Sequence, residues 1–355
     1  MKKMISLFSI ASLLFMQANL YAQNDNNNDN DDKKTKKKYE FEKTKSYNKT
    51  YNISSSDKLS IDNRFGSVEI HTWNKSEVKV DVEIKVTAKT EDWARSVLND
   101  IEVEDSKSGS QVKFKTLFSE DLDKKEGGSK HRDKYEGKDS RQTMEVNYNV
   151  YMPSSNPLYI ENEFGPTILP DYAGEVDLTS KFGKLETGNL SNVKNISVEF
   201  GKAKLGNIPG GNLTIKFSSA TFARLSGNVK MNIEFSKKII LNLDNNLTAL
   251  DIKASYSTIN LKPASDLSAM FNVFTSFGNF RNRTGIKFDA EAEDEEDHGP
   301  KFDRSFTGKT GSGNTTIKIK SSFTTIIVGE TTDEDFKDKD KDKEKSKSKS
   351  KSVSI

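Results

Sequence analysis

The middle of this 355-residue chain repeats a short apolar triplet at a nearly constant interval. Leu178-x-Ser180-x-Phe182 is followed by Ile196-x-Val198-x-Phe200, Leu213-x-Ile215-x-Phe217, Met231-x-Ile233-x-Phe235, Leu250-x-Ile252-x-Ala254 and Phe271-x-Val273-x-Thr275. Their first residues lie 18, 17, 18, 19 and 21 positions apart. Alternation with period two marks each triplet as a strand with one apolar face. A second apolar column follows at Leu185, Leu205, Phe222, Ile240, Ile259 and Phe280, and Gly, Asn or Pro turns such as Gly188-Asn189 and Pro209-Gly210-Gly211 close the units. A unit of strand, turn, strand and wider turn cannot bury its own apolar face, whereas stacked units share one core. The expected fold is therefore all-β: a single-stack β-solenoid of roughly 18-residue coils.

Two longer offsets extend the pattern. Ile317, Ile319, Ser321 and Ile326 each lie 46 residues beyond Phe271, Val273, Thr275 and Phe280, one coil plus an insertion at about 281–308 that contains DAEAEDEEDHGP. Upstream, Leu59-x-Ile61-x-Asn63-x-Phe65-Gly66 recurs 99 residues later as Leu158-x-Ile160-x-Asn162-x-Phe164-Gly165. Between the copies lie a long alternating strand (Val78 to Val86), a short helix opened by Thr90 with Glu91 and Asp92 in its first turn, and further strands. This strand-helix-strand layer is expected to cap the stack. The domain plan is a signal peptide at 1–22, a linker at 23–38, an N-terminal β-rich cap at 39–154, the solenoid at 155–330 and a charged tail at 331–355.

Outward positions carry a pattern of their own. Glu163, Lys181, Glu199, Lys216, Glu234 and Lys253 alternate in sign, and in-register stacking places them about 4.8 Å apart. A polar column, Thr179, Ser197, Thr214, Asn232, Asp251 and Asn272, runs beside them. The Phe-Gly aromatics alternate with aliphatic positions, which points their rings inward to the core instead of outward for sugar stacking.

The N-terminus points to export, to periplasm or cell surface. Lys2 and Lys3, an apolar run from Ile5 to Met16, and Ala22 before a polar stretch read as a secretory signal, the apolar run being too short to span a bilayer comfortably. The chain has no cysteine, which excludes both disulfides and lipid attachment through a cysteine. Segments 23–38 and 331–355 are charged and of low complexity, unable to repay the entropy of folding. A near-neutral balance, +2, without a basic stripe argues against nucleic acid.

Clustered chemistry is missing from the sequence. His71, His131 and His298 have no ligand partners at strand or helix spacing, and the acidic run around His298 lacks the central Gly and alternating ligands of a calcium loop. No catalytic, metal or cofactor residues are assigned. A carbohydrate-active β-helix enzyme, a polysaccharide lyase or hydrolase, is the alternative, with Asp171, Glu175 and Asp177 as its candidate carboxylates near a coil corner. Glu199 and Glu234, by contrast, alternate with lysines, which suits register more than catalysis.

The two N-x-F-G strands, Phe182-Gly183, Phe200-Gly201, the Trp93–Asn99 helix after a long strand, and the signal together resemble the bacterial "putative adhesin" family, a β-helix-like domain of unknown function common in Bacteroidota envelopes. The resemblance covers about residues 45 to 330 and implies a surface or periplasmic binding role with no named ligand. The expectation is a non-catalytic, exported envelope protein that binds or scaffolds an envelope protein or glycan.

Overall fold

The computed structural model describes residues 41–119, 142–290 and 302–336. The signal peptide, the linker, nearly all of loop 119–141 and the tail beyond residue 336 fall outside the described residues, as do His131 and His298. All described residues belong to one compact unit, Tyr39–Ile355.

Alternation written in the sequence becomes strand almost everywhere. The N-terminal part contributes β1 (Phe41–Asn52), β2 (Lys58–Arg64), β3 (Val68–Thr72), β4 (Glu77–Ala88), the helix α1 (Glu91–Asn99), β5 (Ile101–Ser108), β6 (Gln111–Phe118) and β7 (Gln142–Met152). Thr90 caps the helix by accepting a hydrogen bond from the Trp93 amide, and Ala94, Val97 and Leu98 are its buried residues. The repeats follow as β8 (Leu158–Glu163), β9 (Thr167–Leu169), β10 (Tyr172–Lys181), β11 (Lys184–Thr187), β12 (Leu190–Glu199), β13 (Lys202–Lys216), β14 (Ser219–Glu234), β15 (Ile239–Ser255) and β16 (Thr258–Pro263). Then come β17 (Ala269–Ser276), β18 (Asn279–Arg283), β19 (Phe288–Ala290), β20 (Asp303–Thr310), β21 (Thr315–Ser322) and β22 (Thr325–Gly329). The described chain is thus all-β apart from one helix and a short 3-10 turn at Asp333–Phe336, with 22 strands in one sheet.

Coil pairs with coil in parallel register. Leu178 lies opposite Ile196, Ile196 opposite Leu213, Leu213 opposite Met231, and Met231 opposite Ile252. Each of these side chains is buried, and each contributes about 1.5–3 kcal/mol by leaving water. The alignment drawn from apolar alternation is therefore two residues early from Leu250 onward: Ile252, not Leu250, continues the column. Ile240, expected in the second apolar column, pairs with Asn260 and is only half-buried, because Ile239 and Leu241 on either side of it turn inward.

Both ends depart from chain order. Strand β2 lies between β6 and β8, and β3 between β7 and β9. The first repeat therefore pairs between strands of the second, and the parallel pairing of repeats reaches upstream of residue 155. At the other end β21 lies between β15 and β17, and β22 between β16 and β18. The last coil in sequence is thus intercalated, not terminal. Antiparallel strands then cover the outermost coils, β5 on β6 and β4 on β7 at one end and β20 on β17 at the other. Open parallel edges invite further pairing, and these strands occupy them.

The segment 281–308, expected as a plain insertion, carries structure: β18 ends in it, β19 lies within it, and β20 begins in it and covers β17. The tail expected from residue 331 also begins folded. Asp335 accepts a two-pronged contact from Arg283, 2.7 Å to each oxygen, and a 3.3 Å contact from Arg281. Lys238–Asp333 and Lys262–Glu330 hold the same stretch at 3.0 and 2.6 Å.

Candidate functional site

Nine of the parallel repeats turn their first corner at an aromatic residue, and that residue adopts a left-handed backbone. Phe65, Phe164, Phe182, Phe200, Phe217, Phe235, Tyr256, Phe277 and Phe323 all have φ between +48° and +62°. Left-handed backbone costs an ordinary residue about 1–2 kcal/mol. It also redirects the side chain. The rings do not enter the core: from Phe164 to Phe323 they are 47–52% exposed. This corrects the inward placement expected from alternation, which holds only while the backbone stays extended.

The exposed rings stack on one another. In spatial order they run Phe65, Phe164, Phe182, Phe200, Phe217 and Phe235, then Tyr256, Phe323, Phe277 and Phe302. Centroid steps are 4.3–5.1 Å and planes differ by 1–15°. Nine steps at the strand spacing make a stripe roughly 40 Å long. Phe118 closes its first end edge-on against Phe65. Within the stripe ring faces are covered by neighbouring rings, and ring edges meet the solvent. A stacked pair contributes about 0.5–1.5 kcal/mol, which no more than offsets the backbone strain.

The next residue explains why the strain is not relieved by exchanging positions. Glycines 165, 183 and 201 have ordinary φ, but a Cβ on Gly165 would stand 1.9 Å from the Gly66 carbonyl oxygen, and one on Gly183 would stand 2.1 Å from that of Gly165. Close coil-to-coil approach claims the glycine, and the aromatic takes the turn. Farther along, Ser218, Ser236 and Ser257 replace glycine; the Gly201 amide donates to Ser218 Oγ (3.0 Å), that of Ser218 to Ser236 Oγ (3.1 Å), and that of Ser236 to Ser257 Oγ (3.1 Å).

Charges flank the stripe. The residues preceding successive rings are Arg64, Glu163, Lys181, Glu199, Lys216 and Glu234, each opposite the next in register. The alternation expected from Glu163 to Glu234 is present, and Arg64 extends it. Lys253 does not belong to it: Glu234 faces Ser255, while Lys253 faces Asn232. The two-residue slip likewise removes Asp251 and Asn272 from the polar column, since Asn232 is followed by Lys253 and then Lys320. Contacts within the charged column include Lys181–Glu163 at 3.2 Å and Lys216–Glu234 at 3.4 Å.

Lys181 also donates to Glu161 at 2.8 Å, which holds the Glu161 carboxyl below its usual range and raises the lysine. A depressed carboxyl contributes stability that is complete above its unfolded pKa and is lost as pH falls through the folded value. Lys181→Met should therefore lower stability by about 1 kcal/mol at neutral pH, and the difference should shrink as pH drops from about 6 to about 3. Thermal melts across that range check it; a constant offset would show that the pair does not titrate as described.

The other sequence candidates are dispersed. Asp171 accepts from the Asn189 amide at 2.6 Å, Asp177 faces Asn195 (3.2 Å) and Lys194 (3.5 Å), and Glu175 is exposed. His71 stacks on Tyr151 at 4.8 Å and lies 3.7 Å from Glu69. Among the described residues no group of three or more His, Cys, Asp or Glu side chains is placed to hold a metal ion. A cleft of about 690 Å³ lies beside Tyr256 and Phe323, where Arg281 and Arg283 are already engaged by Asp335.

No family model matches the chain, and no curated protein matches it in sequence. Among solved structures it is similar to a putative cell adhesion protein from Clostridium sporogenes (14% identity, 81% of this chain and 100% of that one, TM-score 0.23). It is similar to a putative adhesin from Bacteroides fragilis (12%, 80% and 97%, TM-score 0.31). A putative lipid binding protein from Parabacteroides distasonis follows (14%, 62% and 90%, TM-score 0.27). None of these scores reaches the level at which a shared fold is established. Among the described residues no helix is long and apolar enough to cross a membrane.

Proposed function

We propose that the chain is an exported, non-catalytic envelope protein whose parallel coils form a single-stack solenoid, and that the aromatic stripe is its docking face. The supporting observation is the stripe itself. Nine aromatics are held in a backbone conformation that glycine adopts at no steric cost, and eight of them, Phe164 to Phe323, keep their rings half in water. Strain kept at a repeated surface position points from the outlier to a function. Roughly half of each ring, about 75–125 Å², repeated along the stripe, exceeds the largest apolar patch of a typical monomer. Sugars stack on ring faces, and here the faces are covered by other rings, so a protein surface suits the stripe better than a glycan.

The purified chain should be retained on cell-envelope material and show no turnover on a panel of polysaccharides. Glycine at both Phe200 and Phe217 should keep the fold, since glycine accepts positive φ, yet lose most of the retention. Unchanged retention would sink the docking face. Release of reducing ends or unsaturated sugars, abolished by changing Asp171, Glu175 or Asp177, would put a carbohydrate-active enzyme in its place.

A further inference from the structure

The geometry points to a second copy of this chain as the occupant of the stripe, packed ladder against ladder in antiparallel orientation; this rests on the docking-face reading above. Two observations carry it. The first is charge. The flanking column runs Arg64, Glu163, Lys181, Glu199, Lys216, Glu234, three cations and three anions in strict alternation along successive coils. An alternating column of even length is complementary to its own reversal. A two-fold axis between Lys181 and Glu199, perpendicular to the stripe, sets Lys181 opposite Glu199 of the other copy, Glu163 opposite Lys216, and Arg64 opposite Glu234. Each pairing occurs twice in an isologous interface, and every one joins opposite signs. Displacing the axis by half a coil would place it on a residue and make every pairing like with like, so the column also fixes the register.

The second observation is area. That axis overlays the six rings from Phe65 to Phe235 with the same six of the other copy. Five of those six rings, Phe164 to Phe235, are half-exposed and supply roughly 400–600 Å² on each side, and the flanking charges bring the total toward the ~800 Å² per partner of a standard interface. The rival parallel arrangement would set the alternating column against the opposite flank, which carries Lys184 and Lys202 and has no matching alternation. In the antiparallel arrangement those two lysines approach across the axis, but Lys184 is already paired with Glu186 at 2.6 Å. From Tyr256 onward the flank is Ser255, Ser322 and Ser276. It is uncharged there, and the rings of that half lie outside the overlap.

The full chain should sediment as a monomer–dimer equilibrium. Glu199→Lys sets like charges together at the axis and should weaken association about tenfold or more; Phe182→Asp, at a position outside the core where a polar residue tolerates positive φ, should do the same without depending on the charges. The chain contains no cysteine, so single substitutions map the register cleanly. Under mild oxidation a mixture of Phe182→Cys and Phe200→Cys chains should cross-link to each other faster than either does to itself. A chain that stays monomeric throughout, while Phe200→Gly with Phe217→Gly still abolishes retention on envelope material, would overturn the second copy and leave the docking face to another protein. Monomer together with unchanged retention would overturn both. A dimer whose affinity ignores Phe182→Asp and Glu199→Lys would place the interface elsewhere and equally reject the proposal.

Discussion

Asn162→Leu is expected to destabilise the chain by about 3–5 kcal/mol, although the replacement is apolar and its site is buried. Asn162 is fully buried, as is Asn63 one coil away. Asn63 Nδ2 donates to Asn162 Oδ1 at 3.1 Å and to the Val146 carbonyl at 3.0 Å, while Asn162 Nδ2 donates to the Gly66 and Pro166 carbonyls, both at 3.1 Å. Thr116 Oγ1 completes the set by donating to Asn63 Oδ1 at 2.8 Å. Leucine at 162 would leave an Asn63 N–H and the Gly66 carbonyl buried without these partners, at about 1–3 kcal/mol each, while the Pro166 carbonyl keeps the Val68 amide at 2.9 Å. Replacing Asn63 as well should add less than it costs alone, because the two side chains satisfy one another. Denaturant unfolding of both single variants and the double variant measures the coupling. A cost below about 1 kcal/mol for Asn162→Leu would mean that the network is not formed as described.

Ile319→Asp should have a comparable or larger effect, about 4 kcal/mol or more, since it removes a buried aliphatic side chain and introduces a charge with no partner. Where that loss is felt matters as much as its size. Ile319 is buried between Ile252 of β15 and Val273 of β17. Hydrogen exchange should therefore accelerate in β15 and β17 together, and in β16 and β18 beside them. In a stack built in chain order the last coil would touch only β17 and β18. Retained protection of β15 and β16 in the variant would rule out the intercalated coil.

Much of this architecture is written locally and can be read locally. Period-two alternation gives the strands, and the two long offsets give real neighbours: Leu59, Ile61 and Asn63 pair with Leu158, Ile160 and Asn162, and Phe271, Val273 and Thr275 with Ile317, Ile319 and Ser321. What alternation does not carry is the backbone sign at a corner. A phenylalanine two residues after a buried valine looks inward-facing until φ turns positive, and then it stands outside. The better marker was the pair itself: an aromatic followed by Gly, Ser or Thr, at Tyr256-Ser257, Phe277-Gly278 and Phe323-Thr324 as much as at Phe182-Gly183. Aligning on that pair removes the two-residue slip at Leu250 and restores Ser255 to the charged flank. The intercalated ends were illegible for a different reason, because a repeat says which residues are equivalent without saying which copies are neighbours. The strands inside 281–308 were hidden by the acidic run beside them, whose composition dominates any window that includes β19 and β20.

Those closed ends limit how such a chain changes length. In an ordinary array of repeats a unit can be gained or lost at either extremity, because the terminal unit touches one neighbour. Here the first and last coils each lie between two others, and the outermost coils are finished by antiparallel strands with their own sequences. Duplication or loss of a coil is compatible with the fold only in the interior, between about β8 and β15. Each such event would lengthen or shorten the stripe by one ring, and an odd change within the charged half would set two like charges side by side. Copy number in this design is constrained to move from the middle, and there in pairs.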